Sequence, residues 1–295
     1  MDPLIIEVAV NGGRQKNQNP NVPKTPEEVA SDTLACLAAG ASVIHTHIED
    51  IMVNGKEAAE RYAQAHRPIL KERPDAILYA TGAAGDTIEE RCVHVGLLAE
   101  EGLQFMEVVD PGTMNLSTSS PDGLPGKTRM IYASPFPWIE YQLAHCGQYG
   151  LGPSLAIYEP SFLRATLLYH RAGRMPPGAL VKFYFGGDGN FMDHGTFQFS
   201  SLPPTRKALD AYLEMFGDCE LPWSATVMGG DVTMSGMSKL AIERGGHVRV
   251  GLEDYVGPRK PSNVELVKEV AEIARALGRP VATPEQAKKI LNLPR

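Results

Sequence analysis

Two histidines one residue apart, in Ile44-His45-Thr46-His47, are the side chains of this sequence whose types and spacing best suit metal chemistry. On a strand, positions two apart share a face with Cα atoms roughly 7 Å apart, so both imidazoles can reach one cation. A catalytic site needs a third ligand. Gly245-Gly246-His247-Val248-Arg249-Val250-Gly251-Leu252-Glu253-Asp254 offers one, with two adjacent carboxylates behind an arginine. Two imidazoles and a carboxylate form a set that leaves positions open for water or substrate, a usual arrangement for catalytic zinc. Spacing leaves open which of Glu253 and Asp254 binds metal and which acts as base, and a solvated acidic turn is the bland alternative.

Other features are weaker. Phe185-Gly186-Gly187-Asp188-Gly189 follows an expected strand and reads as a glycine-rich loop, with phosphate cradling as the second possibility. Thr81 and Gly82, in Thr81-Gly82-Ala83-Ala84-Gly85, could line a pocket, and Thr113 and Asn115 could bind a carboxylate or simply form a turn. His66, His94, His145 and His170 fall inside expected helices and read as structural, while His194 is a distant candidate ligand. His247 opens a strand, the wrong end for barrel chemistry, and Trp138, Tyr141 and Tyr149 read as packing residues.

Positioning these groups falls to elements that alternate along the whole chain. Strands are expected at Leu4 to Val10, Ala41 to Thr46, Ala76 to Ala80, Phe105 to Val109, Ser154 to Tyr158, Leu180 to Phe185, Trp223 to Met228 and His247 to Val250. Helices fall between and after them, the first capped by Thr25, with Pro26 in its opening turn and Glu28 completing a capping box. About eight strand-then-helix units fit a single-domain TIM (β/α)8 barrel spanning 1–295, and a doubly wound open sheet gives the same alternation. The segment from Gly112 to Arg129, rich in Ser, Gly and Pro, reads as a βα loop of the kind that builds barrel active sites.

With 28 Lys plus Arg against 35 Asp plus Glu, the net charge of -7 argues against a nucleic-acid or anionic-membrane binder. Hydrophobic residues at 43% and charged residues at 21% describe an ordinary globular chain and exclude disorder. Cys36, Cys92, Cys146 and Cys219 lie far apart, which speaks against a thiolate metal site or disulfide framework and suits a reducing cytoplasm. The N-terminus lacks a signal-peptide pattern, and no apolar run approaches the ~20 residues of a membrane helix.

Taken together, the motifs resemble the β-keto acid cleavage enzyme family over essentially the whole chain. The resemblance rests on Val10-Asn11-Gly12, Pro23-Lys24-Thr25-Pro26-Glu27-Glu28, His45-Thr46-His47, Thr81-Gly82-Ala83, Gly112-Thr113-Met114-Asn115, Arg249-Val250-Gly251-Leu252-Glu253-Asp254 and Arg279-Pro280-Val281-Ala282-Thr283-Pro284. It implies a TIM barrel holding a divalent metal, usually zinc, with acetyl-CoA as co-substrate. The reaction it implies converts a small β-keto acid to acetoacetate and a new acyl-CoA. Matched residue by residue, His45, His47 and Glu253 would hold the metal, Asp254 would be the base, and Arg249 would orient or polarise Asp254. The resemblance also implies a homotetramer.

Departures from the family cluster at the expected pocket. Glu49 stands where His-x-His-x-Arg would place arginine, Ala80 where a serine contacts substrate, and Asp231 where Gly-Ile-Gly-Arg ends in arginine. Pro153-Ser154-Leu155-Ala156 replaces Pro-Glu-x-Glu, and Tyr255 follows Glu253-Asp254 where asparagine is common. Arg14 occupies the place of an acidic residue that reads a substrate amine, so an intact metal site with a specificity other than an amino-bearing keto acid is expected. Arg14 and Glu49 thus join Thr81, Gly82, Thr113 and Asn115 as candidate substrate contacts, with an Arg14 pair to Glu49 or Asp231 as the alternative. A barrel metallohydrolase and a catalytically altered metal-binding relative are the competing readings.

Overall fold

The computed structural model describes residues 2–118, 124, 131–189, 197–198 and 201–294. Eight parallel strands form one nearly closed barrel: β1 Ile6–Ala9, β2 Val43–Thr46, β3 Ile77–Ala80, β4 Met106–Val109, β5 Gly152–Ile157, β6 Leu180–Gly186, β7 Trp223–Met228 and β8 His247–Val250. Their order around the sheet is β3-β2-β1-β8-β7-β6-β5-β4, so first and last strands pair, with Ile6 opposite Val248 and Val8 opposite Val250. The seam falls between β3 and β4. There the Phe105 N–H donates to Leu78 O at 3.0 Å, and the Gln104 side chain accepts from the Ala80 N–H at 2.9 Å and donates to Met106 O at 2.8 Å. One amide side chain thus satisfies backbone groups that a ladder would otherwise pair.

The helices are α1 Pro26–Ala39, α2 Gly55–Glu72, α3 Ile88–Glu100, α4 Phe136–Tyr149, α5 Pro160–Arg171, α6 Arg206–Phe216, α7 Met237–Glu243, α8 Asn263–Ala276 and α9 Pro284–Leu291. Thr25 caps α1 with the expected box: its side chain accepts from the Glu28 N–H, and the Glu28 carboxylate accepts from the Thr25 N–H. Helix α4 starts at Phe136 because Pro135 takes the cap position and Pro137 fits only the first turn. No described helix is long and apolar enough to cross a membrane.

Most of the barrel core is aliphatic and aromatic, but one layer is polar. Glu7 from β1, Tyr79 from β3, Ser154 from β5, Lys182 from β6 and Arg249 from β8 are all buried and point inward together. Lys182 Nζ lies 3.3 Å from Glu7 Oε1 and 3.0 Å from the Tyr79 hydroxyl, while Arg249 NH1 donates to Glu7 Oε1 at 2.8 Å. Buried charges survive only when paired and hydrogen-bonded, so this layer is a rigid floor under whatever sits at the strands' C-terminal ends.

Candidate metal centre and active site

His45 is the last residue but one of β2 and His47 follows just beyond its end, so the strand's two-residue period turns both rings toward the barrel mouth. Asn11 clamps the second histidine: its side-chain oxygen accepts the His47 N–H at 2.9 Å, and its amide donates to His47 O at 2.9 Å. The His45 ring lies 4.5 Å, centroid to centroid, from the Tyr79 ring of the polar layer. Glu253 arrives from a tight turn after β8, hung on Ala9 O by its N–H at 3.2 Å. Gly12, at φ +54°, lies so close that a Cβ there would overlap the Glu253 side chain.

These elements bring three donor atoms together. The Nε2 atoms of His45 and His47 are 3.1 Å apart, and Glu253 Oε2 lies 3.5 Å from the first and 3.4 Å from the second. Metal–ligand bonds of about 2.0–2.2 Å at tetrahedral angles place donors about 3.3–3.6 Å apart, so the triangle has the size of a zinc-type coordination face. Burial pushes the His45 imidazole well below its usual range, which keeps it in the neutral, ligating form. Burial alone would raise the Glu253 carboxyl, but the imidazoles and Arg249, whose NH2 lies 3.2 Å from Oε1, hold it well below the usual carboxylate range. Glu253 Oε2 is buried with no hydrogen-bond partner among the described residues, and a cation at the centre of the triangle would satisfy it. The donor set therefore fits a divalent metal.

Arg249 organises the next layer. Its Nε and NH2 hold Asp254 at 2.9 and 3.0 Å, and the Thr226 hydroxyl donates to the same carboxylate at 2.7 Å. Burial raises the Asp254 carboxyl against the lowering effect of Arg249, the direction that strengthens a base. Asp254 itself is 2% exposed and stands behind Arg249 rather than among the side chains lining the open cavity.

That cavity, about 370 Å³, opens over His45, His47, Glu253, Arg249 and Lys182. Thr81 and Gly82 line it as expected. The other candidate contacts are not brought there. Glu49 is exposed and paired with Arg61, because the strand's periodicity stops at Thr46 and no longer sets where a residue beyond His47 points. Thr113 accepts the Ser134 N–H at 3.1 Å, Asn115 is exposed, and it is Met114 between them that reaches the cavity. Arg14 is buried and outside the cavity lining. Asp231 caps a turn through the Thr233 and Met234 N–H groups and binds Arg259 at 3.0 Å.

Several remaining features resolve as structural. The Gly187 and Gly189 N–H groups each donate at 2.8 Å to the β7 end, to Met228 O and Gly229 O, and a Cβ on Gly187 would overlap Gly229. Close loop packing thus explains both glycine pairs. His66 bridges the Thr46 hydroxyl and Leu103 O, both at 2.9 Å, His94 meets Thr81 O at 2.8 Å, and His247 accepts the Ile5 N–H at 3.0 Å. Trp138 lines the cavity rather than the core, with Arg91 over its ring. His194 and most of the Gly112 to Arg129 loop lie outside the described residues. Sequence reading missed Glu7, Tyr79, Lys182 and Asp110. The signal for the first and third was a lone charge inside an apolar strand, and for Asp110 its place at a strand's C-terminal end.

Comparison with known proteins agrees with this architecture. The beta-keto acid cleavage enzyme family model matches residues 3–293, and the chain belongs to that family. It is 31% identical over 300 residues to a 3-keto-5-aminohexanoate cleavage enzyme of Acetoanaerobium sticklandii, covering 99% of both chains. It is 27% identical to a 3-oxoadipate:acetyl-CoA acetyltransferase of Cupriavidus necator, covering 99% of this chain and 95% of that one. Among solved structures, the ternary complex of ObcA with a C4-CoA adduct and oxalate superposes with a TM-score of 0.64 at 17% identity, covering 93% of this chain and 68% of that one. This last likeness concerns the fold alone.

Proposed function

We propose that this protein converts a small β-keto acid and acetyl-CoA into acetoacetate and the acyl-CoA of the remaining acyl group. The observation that carries the reading is the triangle of His45 Nε2, His47 Nε2 and Glu253 Oε2, with edges of 3.1 to 3.5 Å, under a cavity of substrate size. Family membership and relatives whose names pair keto acids with acetyl-CoA support the same chemistry.

In this reading His45, His47 and Glu253 hold a divalent metal, zinc by resemblance. When bound, such a metal supplies Lewis acidity that stabilises developing enolate charge by several kcal/mol. Lys182 and Arg249, although paired with Glu7, Glu253 and Asp254, are cationic groups of the cavity lining against which the substrate carboxylate would lie. Thr81 and Gly82 form one wall and fix the carbon chain against it. Asp254 Oδ1, on giving up its hydrogen bond from Arg249 NH2, takes the proton α to the ketone while Oδ2 stays held by Thr226 and Arg249 Nε. This requires the carboxyl to reach past Arg249 once substrate is in place. CoA carries the acyl group, and the protein supplies orientation and charge.

In the same reading the protein assembles as a homotetramer, by resemblance, and works in the cytoplasm, a reducing compartment that four free cysteines suit. The test is to incubate the purified protein with acetyl-CoA and a panel of β-keto acids. Formation of acetoacetate with the matching acyl-CoA is expected. No new thioester from any of them would contradict the proposal and favour a catalytically altered relative.

A further inference from the structure

Among the described residues, the Lys and Arg side chains that line the cavity are Arg91, Lys182 and Arg249. Two of them are matched by acids, Lys182 by Glu7, and Arg249 by Glu7, Glu253 and Asp254. Arg91 is not. Its Nε donates to Gly85 O at 3.0 Å, its guanidinium carbon lies 4.6 Å from the centre of the Trp138 ring, and no carboxylate among the described residues pairs with it. A guanidinium stacked on an aromatic face keeps its N–H edge free, a fork that matches the oxygens of an anion. Half-buried, it is only partly hydrated, so an anion gains more from it than from a fully exposed cation.

Arg91 stands in the first turn of α3, the end of a barrel helix nearest the C-terminal ends of the strands, which places it toward the barrel mouth. Acetyl-CoA is a polyanion and the protein carries a net charge of -7, so their repulsion has to be offset locally. A cavity of about 370 Å³ takes the thioester and the arm behind it but has no room for the nucleotide as well, so the phosphates must lie at the entrance. We propose that Arg91, held on Trp138, binds a phosphate group of the CoA moiety there, leaving the metal triangle to the β-keto acid. The inference rests on the reading of acetyl-CoA as co-substrate.

Calorimetric titration without keto acid tests it, because binding is then read apart from turnover. The probes are acetyl-CoA and S-acetylpantetheine, the same thioester arm without phosphates, titrated into the metal-loaded protein at pH 7.5. The wild type is expected to bind acetyl-CoA at least tenfold tighter. Arg91→Met keeps the apolar stem, and Arg91→Gln replaces it should the first variant not fold. Either is expected to weaken acetyl-CoA about tenfold and to leave S-acetylpantetheine within twofold. Equal affinities in the wild type, binding of neither probe, an unchanged acetyl-CoA affinity in the variant, or an equal loss for both probes would overturn the proposal. So would a variant whose KM rises for the keto acid alone, since the cation would then read a carboxylate of that substrate. The expected affinities with no acyl transfer once a keto acid is added would leave it standing and sink the proposed reaction instead.

Discussion

Gly12 and Glu253 occupy the same small space: the glycine stands at φ +54° where a Cβ would overlap the glutamate side chain, so a missing side chain on one loop lets a donor from another reach His45 and His47. The Val10-Asn11-Gly12 run is therefore part of the site although no atom of it binds the cation, since Asn11 sets His47 and Gly12 admits Glu253. Gly12→Ala should displace Glu253 and strain a left-handed residue at a cost of about 1–2 kcal/mol. Metal affinity, read by competition with a chromogenic chelator, is expected to fall 10- to 100-fold, the range typical for losing outer-shell support. Unchanged affinity would show that Glu253 is not a ligand.

Lys182→Met should act on stability first. It leaves Glu7 buried with one cation fewer, and breaking a buried pair costs about 3–5 kcal/mol. Arg249 and Tyr79 remain on Glu7, so the lower end of that range is expected as a shift in urea midpoint. Adding Glu7→Gln should recover part of it. A loss under about 1 kcal/mol for the single variant would mean that the layer is not electrostatically coupled.

The base role of Asp254 predicts a split between binding and rate. Asp254→Asn keeps the side chain's shape and should retain metal while kcat falls about 10²- to 10⁴-fold, the usual worth of general base catalysis. A kcat within tenfold of wild type would assign proton removal elsewhere.

Acid should destabilise the fold through three histidines outside the cation triangle. Burial pushes His66 and His94 down to about 4 and His247 down to about 3. Their folded values lie below the unfolded value of about 6.5, so the folded state binds fewer protons. Stability from these groups is complete above that value and is lost as pH falls from about 6.5 toward 4. Asp32 and Asp110, both raised to about 6 by burial, bind protons more readily when folded and offset part of the loss between about 6 and 4. Three deeper shifts outweigh two, so Tm should fall steadily between pH 6.5 and 5. A flat or rising Tm would contradict this balance.

The barrel was legible in the sequence because strand and helix periods differ, and His45 with His47 was legible because a strand repeats every two residues. Glu253 and Arg249 stood out as charges beside a strand end. Legibility failed where that period ended. Glu49 lies beyond β2 and turns to Arg61, and in Thr113-Met114-Asn115 the middle residue reaches the cavity while its neighbours turn away. The Glu7, Tyr79 and Lys182 floor left only the trace of two lone charges in apolar strands, because only the closed sheet brings one residue from each of three separate strands together. Asp110 offered only its place at a strand's C-terminal end, since its surroundings, Tyr132 and the cavity, are assembled from distant segments.

Metal content against activity tests the central claim most directly. Elemental analysis of dialysed wild type and of His45→Ala, His47→Ala and Glu253→Gln should find one divalent cation per wild-type chain and far less in each variant. Acyl transfer by chelator-stripped wild type should be lost and return on adding zinc. A stripped protein that works as well as the loaded form, or a Glu253→Gln variant that keeps both its cation and its activity, would contradict the account.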